Sequence, residues 1–335
     1  MSEKQISDRI GPYLKPHLND YLFDELSDNY LNKAGVLDIL KDVPVPINYK
    51  DVSSGITNVK IARNMAMVIG ADPNFTYKDA YVKYIKRVFN EDFVYSMVQD
   101  GCKAANEGDY ISACISLRGA LILDPQCKEA LYNYGRACLD AYSSEESEDR
   151  DFIGLFKAES LTAFEKLTIA FPDFAMGFFY LGYGYLNLGL YTKADLTWRE
   201  FIKLASEEEK QLVEEIETWL WKLEEPLKME QGTNLVVQGR FDEAIDILAP
   251  YCQDQRFNNW WYLWYSLGIA YRGIGQIEDA EAALKHGLTL SPSNLEMMKE
   301  LVEVYKELGH KEKVDKYQSK IKLISSYNES GLDQN

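Results

Sequence analysis

Histidine and cysteine are the side chains most often used for acid–base, nucleophilic and metal chemistry, and this sequence contains few of either. The three histidines, His17, His286 and His310, lie far apart, and none is near a cysteine or an acidic motif with metal-ligand spacing. The five cysteines form no CxxC pair and lie among apolar residues in a helical pattern, which is typical of reduced packing residues. The cysteines are Cys102, Cys114, Cys127, Cys138 and Cys252. We therefore expect a protein that is not an enzyme, with no metal site and no cofactor.

Phosphate-binding patterns are equally scarce. The sequence has no GxxxxGK[ST] loop and no GxGxxG motif after a predicted strand. The segment YKDAYVKYIKR, residues 77–87, interleaves basic residues with tyrosines, but an amphipathic helix with a solvated basic face explains it equally well. A formal charge of −17 opposes general affinity for nucleic acids and anionic membranes. We predict no nucleic-acid partner.

One stretch has the length of a membrane span. Residues 174–191, FAMGFFYLGYGYLNLGLY, carry no charge, but they contain four glycines and many tyrosines, which is unfavourable for a lone lipid-exposed helix. The first residues, MSEKQISDRIGPYLKP, have no apolar signal core. The sequence therefore predicts a cytoplasmic protein with no membrane segment.

Most of the chain consists of a repeat of about 34 residues, in which large and small residues recur in the same order. In residues 261–294, large and small residues such as Trp264, Leu267 and Gly268 share one helical face, and Ala280 and Leu284 stripe a second helix. A small residue at the crossing lets two antiparallel helices approach closely, while large residues fill the flanking grooves. The pattern predicts an array of helix pairs.

These copies resemble the tetratricopeptide repeat. The resemblance covers residues 93–325, with copies at about 94–127, 128–173, 175–206, 225–256, 261–294 and 295–325. An extra helix is expected at 207–224, an acidic insertion interrupts the second copy at 143–151, and residues 326–335 form a polar tail. The resemblance implies an all-α, right-handed superhelical solenoid similar to tetratricopeptide-repeat proteins.

Residues 1–92 depart from the repeat pattern. We expect a helical N-terminal cap with a helix from about His17 to Leu31, a short one near Gly35 to Leu40, a break at DVPVPI, and helices at about 56–69 and 77–90. The segment IARNMAMVIGADPN, which contains an apolar stripe ending before Pro73, resembles the second helix of a degenerate repeat.

The resemblance further implies that certain positions of each first helix face a concave groove. Most of the residues at those positions are aromatic, and the set is Tyr95, Tyr132, Asn133, Arg136, Phe179, Tyr180, Tyr183, Asn187, Tyr262, Tyr265 and Arg272. Tyrosine offers a large contact area with few rotatable bonds and a hydroxyl group, which suits a peptide-binding surface. The chaperone-binding members of that family hold the C-terminal carboxylate of a peptide with lysines and asparagines. Such a clamp is disfavoured here, because Val98, Met176 and Tyr180 occupy positions where lysine or arginine is expected.

The predicted function is a non-catalytic scaffold or adaptor that binds a protein or peptide partner. Three alternatives remain open at this point. The aromatic groove is filled by the N-terminal helices, it mediates self-association, or the chain is a peptide-sensing regulator similar to Gram-positive pheromone receptors. An enzyme with a site between cap and solenoid is a further alternative, although no motif marks such a site.

Overall fold

The computed structural model describes residues 8–145 and 149–332, so the centre of the acidic insertion and the end of the polar tail lie outside the described residues. The chain forms two compact units that divide between Glu214 and Glu215. Both units consist mainly of antiparallel helix pairs, and the strands of the described residues form one two-stranded sheet. The prediction of an all-α helical-repeat protein is confirmed.

The N-terminal region of the first unit combines short helices with a small sheet. Its α-helices are α1 Gly11–Leu14, α2 Asp28–Ala34, α3 Leu37–Leu40, α4 Asn58–Ala71 and α5 Lys78–Val88. Its strands are β1 Tyr21–Asp24 and β2 Val45–Asn48, and 3₁₀ helices cover Lys15–Asp20 and Tyr49–Ser54.

The prediction of one helix from about His17 to Leu31 is wrong. Tyr21–Asp24 instead pairs antiparallel with Val45–Asn48, which begins within the DVPVPI segment that was expected to be only a break. The next helix begins after Ser27, whose side chain accepts a hydrogen bond from the Tyr30 amide and caps it. The helices expected near Gly35 to Leu40 and at about 56–69 and 77–90 correspond to α3, α4 and α5.

Three helix pairs follow in the first unit. They are α6 Asp92–Asn106 with α7 Tyr110–Leu123, α8 Lys128–Ser143 with α9 Arg150–Ala170, and α10 Ala175–Leu186 with α11 Tyr191–Leu204. We call α6, α8 and α10 the first helices and α7, α9 and α11 the second helices. At the α8–α9 crossing, a Cβ on Gly135 would lie 2.8 Å from the Phe164 ring, so only a residue without a side chain fits.

The N-terminal region packs mainly on second helices. Helix α4 crosses α7 so closely that a Cβ on Gly119 would lie 2.6 Å from the Ala66 carbonyl oxygen. Helix α7 is therefore buried on nearly all sides. Near the start of the described chain, Asp8 forms a buried salt bridge of 3.0 Å with Arg118 of α7. The Tyr13 ring packs edge-on against Phe152 of α9, with centroids 4.9 Å apart.

A 3₁₀ turn at Glu207–Glu209 precedes a long helix that continues into the second unit. The helices are α12 Lys210–Val237, α13 Phe241–Leu248, α14 Trp261–Gly273, α15 Ile277–Leu290, α16 Leu295–Glu307 and α17 Lys311–Leu332, with a 3₁₀ helix at Ala249–Gln253. Each of the last two pairs, α14–α15 and α16–α17, is joined by a tight turn with a glycine at positive φ.

An extra helix at 207–224 and a repeat copy at 225–256 were expected, and in the structure the first helix of that copy is continuous with the extra helix. Helix α12 runs through Pro226 without a break. Proline removes one backbone hydrogen bond and usually kinks or ends a helix. Here apolar residues are buried on both sides of it, Ile216 and Leu223 before and Met229 after, and their burial holds the helix together. Helix α17 likewise continues to Leu332, into the expected polar tail.

Candidate functional site

The eleven residues expected to face a groove are distributed over both units. Eight lie on or at the end of first helices in the first unit: Tyr95 on α6, Tyr132, Asn133 and Arg136 on α8, and Phe179, Tyr180, Tyr183 and Asn187 on or after α10. The other three, Tyr262, Tyr265 and Arg272, lie on α14 in the second unit.

A cation between two tyrosine rings is the centre of the first group. The Arg136 guanidinium lies 5.6 Å from the ring centroid of Tyr132 and 5.8 Å from that of Tyr180, and the two rings are 5.8 Å apart. We call Tyr132, Arg136 and Tyr180 the Arg136 cluster. All three side chains are half-buried, so each keeps an accessible portion. Residues four apart on α8 and a neighbour on α10 thus form one composite surface.

Packing below the surface holds the cluster in place. The Tyr180 ring stacks on Phe164 of α9 with a centroid distance of 5.2 Å, and the Tyr132 ring contacts the edge of Phe174 at 5.4 Å. Lys128 places a second cation over Phe174, 5.2 Å from its centroid. Sequence reasoning missed Phe174 and Lys128, because they lie just outside the helix positions that it considered.

The electrostatics favour a permanent positive charge here. Burial alone would lower the pKa of Arg136, but the neighbouring Tyr180, Tyr132 and Asp140 outweigh it and raise the pKa. Burial raises the pKa of Tyr132 to about 12, so its hydroxyl stays protonated and can donate a hydrogen bond. Among the residues that the structure describes, Arg136 forms no salt bridge.

A polar notch of about 80 Å³ adjoins the cluster between α6 and α8. Its polar lining consists of Asn106, Asn133, Arg136 and Asp140. The Asn133 side-chain amide donates to the Glu129 carbonyl oxygen at 2.8 Å, which fixes its orientation along α8. Burial raises the pKa of Asp140, although Arg136 partly counteracts this effect. Amide, guanidinium and carboxyl groups converge here, so the notch presents both hydrogen-bond donors and acceptors.

Phe179 does not lie on an accessible surface. Only 7% of the residue is exposed, and its ring contacts Phe201 of α11 at 5.3 Å. Its carbonyl oxygen accepts a hydrogen bond from the Trp198 indole. The expectation that Phe179 faces a ligand is wrong, because Phe179 packs against Trp198 and Phe201 of the second helix and is buried with them.

The other residues of the first unit are more exposed. Tyr183 is half-buried, with its ring 4.9 Å from that of Trp198, and Asn187 is exposed beyond the end of α10. The Asn187 carbonyl oxygen accepts a hydrogen bond from Lys157. Tyr95 is 53% exposed and lines a separate, wide cleft of about 860 Å³ with Phe89 and other residues at the start of α6.

In the second unit, the tyrosines of α14 lie beside tryptophans. Tyr262 is half-buried, with ring centroids 5.2 Å from Trp260 and 6.3 Å from Trp261. Tyr265 lies 6.4 Å from Trp261, which is itself 40% exposed. Trp261 was not among the predicted site residues, although the sequence WYLWY shows it directly before Tyr262.

Arg272 differs from Arg136 because it has carboxylate partners. Its guanidinium lies 3.2 Å from Glu300 and 4.0 Å from Glu307, both on α16. Arg272 therefore connects two helices of the second unit, and its charge is already neutralised. Of the two predicted groove arginines, Arg136 is the one that forms no salt bridge among the described residues, although Asp140 lies in the same notch.

Metal-ligating side chains and cysteines are the remaining candidates for chemistry in the described ranges. Within residues 8–145 and 149–332, no group of three or more His, Cys, Asp or Glu side chains is placed to hold a metal ion. Cys114 and Cys138 contact each other in the core with sulfurs 3.6 Å apart, and burial raises the pKa of Cys138. In the same described ranges, no helix is sufficiently long and apolar to cross a bilayer.

No protein-family model and no curated protein matches this sequence. Among solved structures, the chain is similar to YrrB, described as a TPR protein with an unusual peptide-binding site, with 16% identity, coverage of 65% of this chain and 95% of YrrB, and a TM-score of 0.31. It is also similar to the TPR domain of P58(IPK), with 11% identity, coverage of 88% and 80%, and a TM-score of 0.46.

A third similar structure is MamA, residues 41 to the end, from Desulfovibrio magneticus RS-1. The identity is 16%, the coverage is 61% of this chain and 96% of that protein, and the TM-score is 0.30. All three likenesses are distant. The chain has the tetratricopeptide-type helical-repeat architecture, and this assignment rests on its own helix pairs, their glycine crossings and their tight turns.

Proposed function

We propose that this chain is a non-catalytic scaffold that binds a protein or peptide segment on the first-helix face of its first unit, centred on the Arg136 cluster. One observation carries the proposal. Arg136 lies over two half-buried tyrosine rings beside a polar notch, and no carboxylate of the described residues forms a salt bridge with it. Arginine and tyrosine, with tryptophan, are the residue types enriched among the residues that contribute most to protein-binding energy.

The packing of the N-terminal region supports an accessible surface. Elements near Asp8, Tyr13 and Gly70 pack on the second helices α7 and α9, whereas the Arg136 cluster lies on first helices. This arrangement favours an open binding surface over one filled by the chain's own N-terminal helices. The amides of Asn106 and Asn133 suit the main chain of an extended or helical segment, and the tyrosines suit its side chains.

Site-specific crosslinking tests this proposal. A photoreactive phenylalanine analogue replaces Tyr132 in one variant and Tyr49 in another, since Tyr49 is 60% exposed and lies in the N-terminal region. The Tyr132 variant should crosslink to a cellular protein, and the adduct should disappear when Arg136→Ala is added. Adducts of equal yield at Tyr49, or adducts at Tyr132 that Arg136→Ala leaves unchanged, would contradict the proposed surface.

A further inference from the structure

A second surface, on the N-terminal region, has a different chemistry. A cleft of about 600 Å³ lies between α3 and α5, and its apolar lining is Ile39, Ala80 and Val82. Its charged lining consists of Lys83, Lys86, Arg87 and Asp38. Cations therefore border an apolar floor, on a chain whose formal net charge is −17. The cleft is therefore a basic patch on an otherwise acidic protein.

Among the described residues, the arginine of the cleft has a salt-bridge partner and the two lysines do not. Arg87 donates to both carboxylate oxygens of Asp38, at 2.7 and 2.8 Å. Lys83 and Lys86 are exposed and form no salt bridge within residues 8–145 and 149–332. The cleft thus offers two uncompensated positive charges to whatever occupies it.

Helix α12 presents the complementary pattern. Trp221 is 70% exposed, which is unusual for the residue type most often found at the centre of protein interfaces. Glu217 lies four residues before Trp221, and Glu224 lies three residues after it. Both glutamates are exposed, and this spacing places the three side chains on one helical face. Neither glutamate is ion-paired in the part of the chain that the structure describes. We call Glu217, Trp221 and Glu224 the acidic stripe.

We infer that the acidic stripe of one copy of this chain docks into the α3–α5 cleft of a second copy. Trp221 enters the apolar floor, and Glu217 and Glu224, about 10 Å apart along the helix, pair with Lys83 and Lys86. A nucleic acid or an anionic membrane is a poorer occupant, because the charge of −17 repels an extended polyanion and neither would fill the apolar floor. Each contact uses two different surfaces, so it is heterologous.

Sedimentation equilibrium tests the inference on the full chain. The ionic strength is about 0.15 M, where a Debye length of about 8 Å screens the repulsion between whole copies but preserves contact ion pairs. Wild-type protein should associate with increasing concentration, weakly, as a small contact requires. Trp221→Ala and the double variant Lys83→Glu/Lys86→Glu should each reduce the association constant at least about tenfold.

A charge-swap mixture separates specific docking from other effects. Glu217→Lys/Glu224→Lys alone should also lose association, because its stripe and cleft then have the same sign. Mixing it with Lys83→Glu/Lys86→Glu restores opposite charges at both possible contacts, so association should return. The control Lys33→Glu/Lys41→Glu makes the same change in net charge at exposed positions outside the cleft and should behave as wild type.

Three outcomes would overturn the inference. They are a wild-type chain that stays monomeric at all concentrations, association that survives both charge reversals, and a mixture that remains monomeric. Circular dichroism of each variant should match that of the wild type. Binding of single-stranded DNA or of anionic vesicles that is lost with Lys83→Glu/Lys86→Glu, without self-association, would assign the cleft to a different occupant and equally refute docking between copies.

Discussion

Replacing Gly268 with leucine tests the packing of the second unit. Gly268 lies on α14, at its crossing with α15, and a Cβ there would be 2.5 Å from Cγ of Leu284 and 2.7 Å from one of its methyl carbons. Leu284 is itself fully buried in the core that α15 shares with Met297 and Leu301. It therefore has no space into which it can move.

The expected loss follows from two opposing contributions. Removing a helical glycine stabilises by about 1 kcal/mol through helix propensity. Overpacking a filled core costs about 1 to 3 kcal/mol for a few added atoms, so Gly268→Ala should range from neutral to about 2 kcal/mol less stable. Leucine adds three more carbon atoms at the same contact, and Gly268→Leu should cost about 3 kcal/mol or more.

Urea unfolding followed by tryptophan emission measures this effect. Five of the six tryptophans lie in the second unit, so the signal reports mainly on that unit. Glu278→Leu on the exposed surface of α15 is the control and should change stability by less than about 1 kcal/mol. Gly154→Ala, at a helical glycine with no neighbour within 4 Å of its added Cβ, should be neutral or stabilising when measured by circular dichroism. Equal small losses for Gly268→Leu and Glu278→Leu would refute the close crossing.

Two further predictions concern charged groups that are partly or fully buried. Burial alone would raise the pKa of Glu281, but hydrogen bonds from Lys285 and Lys313 outweigh it and lower the pKa to about 2. The ionised Glu281 carboxylate therefore contributes up to about 3 kcal/mol to the free energy of unfolding. This contribution should be present above pH 4.5, the unperturbed pKa of a glutamate, and should disappear as the pH falls toward 2. The stability difference between wild type and Glu281→Gln should shrink over that interval, and a difference independent of pH would contradict this. Arg118→Met should lower the free energy of unfolding by about 3 to 5 kcal/mol, because it leaves Asp8 buried and unpaired. Adding Asp8→Asn should recover part of that loss. Equal midpoints for the single and the double variant in chemical denaturation would argue against the buried pair.

The repeat architecture could be predicted from the sequence because its packing is local. The glycine of each crossing and the turn that follows lie within one 34-residue copy, as Gly268 and Gly275 show, so their spacing is visible in a linear reading. The same reading placed Arg136 with Tyr132, because residues four apart share a helical face. Their contact with Tyr180 depends on how neighbouring pairs stack.

The incorrect predictions depend on contacts between distant residues. Strand Tyr21–Asp24 is only four residues long and is defined by pairing with Val45–Asn48, so its own residues gave little sign of it. The salt bridge between Asp8 and Arg118 joins residues far apart in sequence, and it places the N-terminal region on second helices. The burial of Phe179 depends in the same way on the large side chains opposite it.

The proposed binding surface is tested most directly by titrating the crosslinked partner, once purified, against the wild type and two variants of this chain. We expect Tyr180→Ala to weaken binding by about 1 to 3 kcal/mol, while Tyr49→Ala should bind as the wild type does. Thermal melting of the same variants should show that Tyr180→Ala keeps the helical signal at the temperature of the titration. An affinity that is unchanged in Tyr180→Ala would contradict the claim that the Arg136 cluster is the binding surface.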